Sequence, residues 1–358
     1  MPSKLTRTTF TLLMALLAAA CCVQLGTPLP WMIGPLLATA ALSMLGAPTH
    51  SHMPLRNAGQ WVIGAAMGLC LYFTPQVVAL VLSLWWVIAL NVLWALALGV
   101  AFGAWLHWVH HGPGGFHIAG LSRSTTYFAS PIGGASEMTL MAERRSGQTD
   151  LVASSHSLRV LLVTLIIPFG FQFAGLHGTD TTLPGPRIIS GPGLAALGAL
   201  TGIGCWAMVK LERTNPWFLG PLAASLLLTA SGHSWSAIPT WMSNAAQLVI
   251  GISLGVRLTR DFVHTAPRWL ASVALGTLAM MVLCAGYAWL LAWATDLRWA
   301  TVLLGTAPGG IAEMGITAKV LQLGVPLVTA LHVTRLAAVL LLVEPLYRWL
   351  YDNKAKKA

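Results

Sequence analysis

The chain has 358 residues, 56% of them apolar and only 8% charged, with a mean hydropathy of +0.73 and a net charge of +10. A soluble domain carries about 25% charged residues, and at ~20 apolar residues per crossing the apolar runs here use up nearly the whole sequence. Lys and Arg are scattered between those runs, without the basic patch or recognition element of a nucleic-acid binder, so the positive balance fits loop charge that orients a membrane protein.

The first element is KLTR followed by TFTLLMALLAAACC, which has the form of a signal peptide with a lipoprotein-like site at Cys21. A second copy of this helix at 194–208 argues that it is a structural span. Apolar runs then predict spans near 29–46, 57–73, 76–108 and 151–175. A second series follows at 192–208, 215–231, 244–257, 269–295 and 325–349. Between the fourth and fifth span of each series lies an apolar stretch broken by Ser-Pro or Ala-Pro and paired glycines, which predicts a re-entrant hairpin. The cysteines Cys21, Cys22, Cys70, Cys205 and Cys284 lie within apolar segments, show no metal-ligand spacing and fit small packing residues.

The two series are a duplication. PWMIGPLLATAALSMLG (30–46) matches PWFLGPLAASLLLTASG (216–232), and NAGQWVIGAAMGLCL (57–71) matches NAAQLVIGISLGVRL (244–258). GGASEM (133–138) matches GGIAEM (309–314), and His156 and Arg159 follow at the same distance as His332 and Arg335. Repeat one is expected over 1–187 and repeat two over 188–358. Five crossings per half place the second half upside down relative to the first. Charges such as Lys4, Arg56, Arg123, Arg144, Arg145, Lys210, Arg257, Arg260 and Arg348, with the tail Lys354, Lys356 and Lys357, then collect on one face, which the positive-inside rule makes cytoplasmic. The far face keeps only Arg187, Arg298 and Lys319. The fold expected is therefore all-α integral membrane, with two inverted repeats of about five transmembrane helices and a re-entrant or broken helix each.

Ionisable residues at membrane depth cost about 2.5–3.5 kcal/mol on insertion scales, and their retention points to function or a buried partner. Glu137 and Glu313 stand just after the glycine pairs Gly133–Gly134 and Gly309–Gly310. Paired glycines permit non-helical backbone, and the helix that restarts there offers free N–H groups to a ligand. His156 and Arg159, like His332 and Arg335, are three apart and share a helix face, with each arginine about 12 Å into its span. Each Glu could pair with the Arg of its own half, either around a shared cavity or as a structural ion pair pinning the hairpin to the next helix. Repeat one has SPIGG where repeat two has APGG, which reads as one residue fewer before the glycines and so as two unequal tips.

Pro35 and Pro221 are expected to kink their helices, and Asn57, Gln60, Asn244 and Gln247 to cap helices or bond between them. Asn91 has no counterpart in the second half. His107, His110, His111 and His117 form a cluster without a repeated equivalent, and a solvated loop explains it better than a metal site.

The Pro-Trp…GPL motif, the NAxQxVIG helix and the repeated GGxxEM with its downstream HxxR together resemble the AbrB family of bacterial membrane proteins, over nearly the full chain. This is distinct from the small soluble DNA-binding regulator of the same name. The resemblance brings the labels regulator of gene expression and, in places, ammonia monooxygenase, and neither finds a DNA-binding domain or an oxygenase ligand set here. The architecture is also similar to cation–proton antiporter and bile-acid or citrate symporter folds.

The sequence therefore points to a multi-pass protein of the bacterial inner membrane with both termini cytoplasmic. It is expected to be a secondary transporter of a small solute, such as an organic anion, coupled to H+ or Na+. The alternative is a membrane-embedded sensor that influences gene expression indirectly. No enzymatic activity, cofactor, metal or direct nucleic-acid contact is expected. The expected partners are the bilayer, the solute and its coupling ion, with homo-oligomers left open. The candidate binding residues are Gly133, Gly134, Glu137, His156, Arg159, Gly309, Gly310, Glu313, His332 and Arg335.

Overall fold

A computed structural model describes residues 4–70, 83–112, 118, 121–178, 188–213, 215–233, 235–260 and 266–352. His117, Arg187, Lys354, Lys356, Lys357 and the link between the third and fourth spans lie outside the described residues. All regular structure among the described residues is helical. The first half gives α1 (Lys4–Gln24), α2 (Pro30–Met44), α3 (Met53–Cys70), α4 (Trp85–His111), α5 (Arg123–Phe128), α6 (Ala135–Arg144) and α7 (Thr149–Phe173). The second half repeats the series as α8 (Gly191–Lys210), α9 (Pro216–Ala230), α10 (Thr240–Gly255), α11 (Pro267–Thr295), α12 (Trp299–Thr306), α13 (Ile311–Val320) and α14 (Val325–Tyr347).

Six helices are long and apolar enough to cross a membrane: α1, α4, α7, α8, α11 and α14 with its terminal turn. The shorter α2 and α9 have 15 residues each, about 22 Å at the α-helical rise, less than the ~30 Å of a hydrocarbon core. Both start the same way. Leu29 and Asn215 take left-handed backbone, with φ of 48° and 49°, and a proline follows at the first helical position, where its missing N–H costs nothing.

The chain folds into two compact units that cut across the repeats. The first takes Met1–Leu82, Thr164–Val263 and Ala312–Pro326, and the second takes Ser83–Val163, His264–Ile311 and Leu327–Ala358. In the first unit the packing is reciprocal: α2 lies against α10 and α3 against α9, while α1 packs on α2 as α8 packs on α9. Equivalent elements thus exchange partners, as a two-fold related pair does.

Glycines set these approaches. Gly64 and Gly68 of α3 face the backbone of Phe218 and Leu222 in α9, and Gly251 and Gly255 of α10 face Met32 and Leu36 in α2. A Cβ at any of the four would lie less than 3.0 Å from backbone oxygen. The four-residue spacing in both copies is the small-xxx-small pattern that lets membrane helices meet closely. Gly34 and Gly220 do the same for α2 on Ala18 of α1 and for α9 on Gly204 of α8.

The second unit is built on a core of Leu98, Phe102, Phe128, Ile132, Met138, Trp269, Met280 and Val339, with the Trp269 indole donating to the Leu151 carbonyl at 3.0 Å. Its last turn, Arg348–Asp352, is π-helical and docks on the first broken pair. Arg145 bonds Asp352 at 2.8 Å and lies 3.6 Å from Glu344, which Arg348 bonds within its own helix at 2.6 Å, and the Arg123 guanidinium sits 4.9 Å over the Tyr351 ring. The charged members are partly exposed, so each pair contributes about 0.2–1 kcal/mol at low salt. Asp352→Asn should therefore lower the midpoint of thermal unfolding only slightly, and the difference should vanish between 0.05 and ~0.5 M salt as screening shortens. A loss that persists at high salt would refute an electrostatic role.

Candidate functional site

Each broken pair ends a short helix, breaks at the glycines, and starts again. In the first, α5 stops at Phe128, and Gly133 and Gly134 take φ of 129° and 60°, which L side chains rarely adopt. Gly134 is the N-cap of α6, and both glycines pack on Leu336 and Leu340 of α14.

A helix end leaves its last carbonyls without donors. Buried side chains of α7 supply them. His156 Nε2 donates to the Phe128 carbonyl at 3.0 Å, and Ser155 Oγ donates to Ala129 at 3.0 Å. Arg159 Nη1 donates to Ser130 at 2.9 Å and Nη2 to Pro131 at 2.6 Å. Nη2 also donates to His156 Nδ1 at 2.6 Å. Four consecutive carbonyls are thus satisfied by three side chains one turn apart, with a cation placed at the negative end of the helix.

The second pair repeats this at a constant offset of 176 residues. His332 Nε2 donates to Leu304 at 2.8 Å, while Arg335 reaches Ala307 at 2.7 Å, Gly309 at 2.9 Å and His332 Nδ1 at 2.8 Å. Arg335 also makes a longer bond to Thr306, at 3.4 Å. The carbonyls of Ser130 and Pro131 correspond to those of Thr306 and Ala307, so the register survives up to the glycines. The two tips do not differ by a residue: the proline has moved from 131 to 308. Where Ser155 bonds Ala129, the equivalent Leu331 packs its side chain on Gly305.

Only one protonation state satisfies both contacts of each imidazole. Nε2 must carry the hydrogen it donates and Nδ1 must be bare to accept from arginine, so His156 and His332 are neutral in this arrangement. All four side chains are at most 2% exposed. The arginines are committed to backbone carbonyls, and among the described residues the ion pairs are Arg145–Glu344, Arg145–Asp352 and Arg348–Glu344. The Glu137–Arg159 and Glu313–Arg335 pairings offered by the sequence are not formed, because carbonyls at the helix end lie nearer the guanidinium than any carboxylate does.

Each glutamate instead occupies the third position of its second half-helix and accepts from its own backbone N–H, a site favoured by the helix dipole. The two differ in surroundings. Glu137 belongs to the second unit and is half-buried. Glu313 belongs to the first unit, is only 8% exposed, and feels the charges of Arg257 and Arg56. The sequence placed those arginines among loop charges. A signal was present: each flanks the NAxQxVIG helix of its copy, and the equivalent positions hold Ser243 and Cys70.

Asn91, without a counterpart in the repeat, is fully buried and donates to the Leu331 carbonyl at 3.3 Å, one residue before His332. Of the histidine cluster, His111 bonds the carbonyls of His107 and Leu121, at 3.1 and 2.9 Å. Among the described residues no group of three His, Cys, Asp or Glu is placed to hold a metal ion.

Duplicated halves, apolar spans and glycine-broken helix pairs define a polytopic helical protein of the membrane type. The chain belongs to the family described as transition state regulatory protein AbrB, whose profile matches residues 31–351. It is 26% identical to the uncharacterized protein YhjN of Bacillus subtilis (strain 168), over 93% of this chain and 90% of that one. It is 24% identical to a protein of Escherichia coli (strain K12) named "Putative regulator AbrB", over 92% of each. No solved structure matches it.

Proposed function

We propose that the protein is a secondary transporter of a small solute, driven by H+ or Na+, in the bacterial inner membrane. The observation that carries this reading is the pair of glycine-broken helices, each with its first half tied by a buried Arg–His clamp and its second half opening on a glutamate. Broken backbone at membrane depth is tolerated where it is buried in protein or lines a cavity, and broken helices form substrate and ion sites in repeat-built transporters. The scatter of Lys and Arg supports inverted halves with both termini cytoplasmic. A sensor that reports solute to a regulatory partner is the second reading, favoured by the name of the E. coli relative.

The test is uptake by protein reconstituted in liposomes, against a panel of organic anions, with a pH or sodium gradient imposed. Flux dependent on one gradient is expected. Glu313→Gln should abolish that dependence with the protein still folded in the membrane. Glu137→Gln should keep at least half of it, because among the described residues no cation is paired with that carboxyl. Gradient-driven flux unchanged in Glu313→Gln would remove the glutamate from the coupling role, and solute binding without any flux would favour the sensor.

A further inference from the structure

We propose that Arg56 and Arg257 hold the carboxylate of an anionic substrate in the first unit, and that Glu313 competes with that carboxylate for the two guanidiniums until it takes up a proton. This rests on the transporter reading and names its substrate class and coupling.

The arginines come from two helices that meet. Gly59 of α3 packs on Ala246, Val249 and Ile250 of α10, and Arg56 lines a niche with Val249 and Ile252, on the part of α10 that leads to Arg257. Among the described residues neither guanidinium has a carboxylate within 4.0 Å. The side-chain bond described for Arg56 is a long one to Met53 Sδ, at 3.8 Å. Met67 of α3 lies against Gly315 of α13, two residues past Glu313, and the charges of both arginines act on that carboxyl. Two cations thus share one acid that is more than nine-tenths buried and that pairs closely with neither.

Planar guanidiniums match a carboxylate with two parallel N–H bonds, and the group already sitting in their field is a carboxylate. While Glu313 is ionised it offsets part of the positive charge, and an incoming anion meets a carboxylate of its own sign. Once Glu313 is protonated the two cations are uncompensated and the anion restores the balance. Anion and proton therefore bind with positive coupling, each strengthening the other by the same factor. Other titratable groups on the neighbouring segments include histidines and one lysine. His50 and His52 line a small niche beside Arg56. Lys319 ends α13, and His177 precedes Gly178, whose N–H bonds Leu321.

Isothermal titration of the purified full chain in nanodiscs tests this, with acetate, succinate and citrate as probes, inorganic phosphate as comparison, and pH varied from 5.5 to 8. At least one carboxylate should bind, more tightly as pH falls, with about one proton taken up per anion in buffers of different ionisation enthalpy. Glu313→Gln should bind as the wild type does at low pH, with no pH dependence. Arg257→Gln, and Arg56→Gln separately, should weaken binding at least tenfold at every pH, whereas Arg260→Gln should not. Melting curves establish that each variant is folded.

Proton uptake retained in Glu313→Gln would overturn the coupling. Unchanged affinity in both arginine variants, or binding of phosphate and no carboxylate, would overturn the site. Flux in liposomes alongside unchanged affinity in those variants would sink this site and leave the transporter. Proton-coupled binding without flux would do the reverse.

Discussion

Replacing Arg335 by glutamine is expected to destabilise the protein by about 3–5 kcal/mol. The guanidinium satisfies the carbonyls of Ala307 and Gly309 and the bare Nδ1 of His332. Leaving a buried acceptor unsatisfied costs about 1–3 kcal/mol, and a glutamine amide can return to only one or two of them. Lysine, with a single ammonium, should fall between. The companion test is a double-mutant cycle with Glu313→Gln. If Arg335 serves the helix end, the two losses add within about 0.5 kcal/mol, as independent sites do. A buried ion pair would instead show coupling of several kcal/mol, with the double variant rescued. Thermal unfolding in detergent of the two single variants and the double decides between them.

The second large effect lies in the first unit. Gly64→Ala and Gly251→Ala should each cost about 2–3 kcal/mol, the upper range for overpacking, because the new methyl meets backbone oxygen of a packed helix and not a movable side chain. The two values should agree closely, since Phe218 and Met32 stand at equivalent positions of α9 and α2. Gly198→Ala in α8, where a Cβ meets nothing within 4 Å, should be neutral or slightly stabilising, as alanine is the better helix former. Equal tolerance of all three would mean that the helices do not approach as described.

The legible part of this protein was its periodic part. Apolar runs gave the helices in order, because a span must be long and unbroken, and the paired glycines marked both breaks. The predicted ends of α2 and α9 run one or two residues past Met44 and Ala230, where the helices stop, since small and apolar residues continue up to Gly46 and Gly232. What the arginines do was not legible. Their partners are main-chain carbonyls, which every residue carries and which no sequence pattern marks, so the sequence offers Glu137 and Glu313 as the counter-charges. The apparent deletion at APGG has the same origin: the prolines stand at different positions, 131 and 308, whereas Arg159 and Arg335 hold equivalent carbonyls. Gly64, Gly68, Gly251 and Gly255 stand in plain view inside the matched segments 57–71 and 244–258, but their purpose needs the partner helix, and that partner comes from the other copy.

That exchange of partners has a consequence for biosynthesis. The first unit needs α1–α3 from the start of the chain and α8–α10 from well past its middle, so its first three helices must wait for about 180 residues of further translation. At ~5–20 residues per second the delay is on the order of ten to forty seconds. During it the glycine faces of α3, shaped to receive another helix, have only lipid or the insertion machinery against them. The nascent chain is therefore most open to mispairing or proteolysis in this interval, and slowed elongation in the first half would lengthen it.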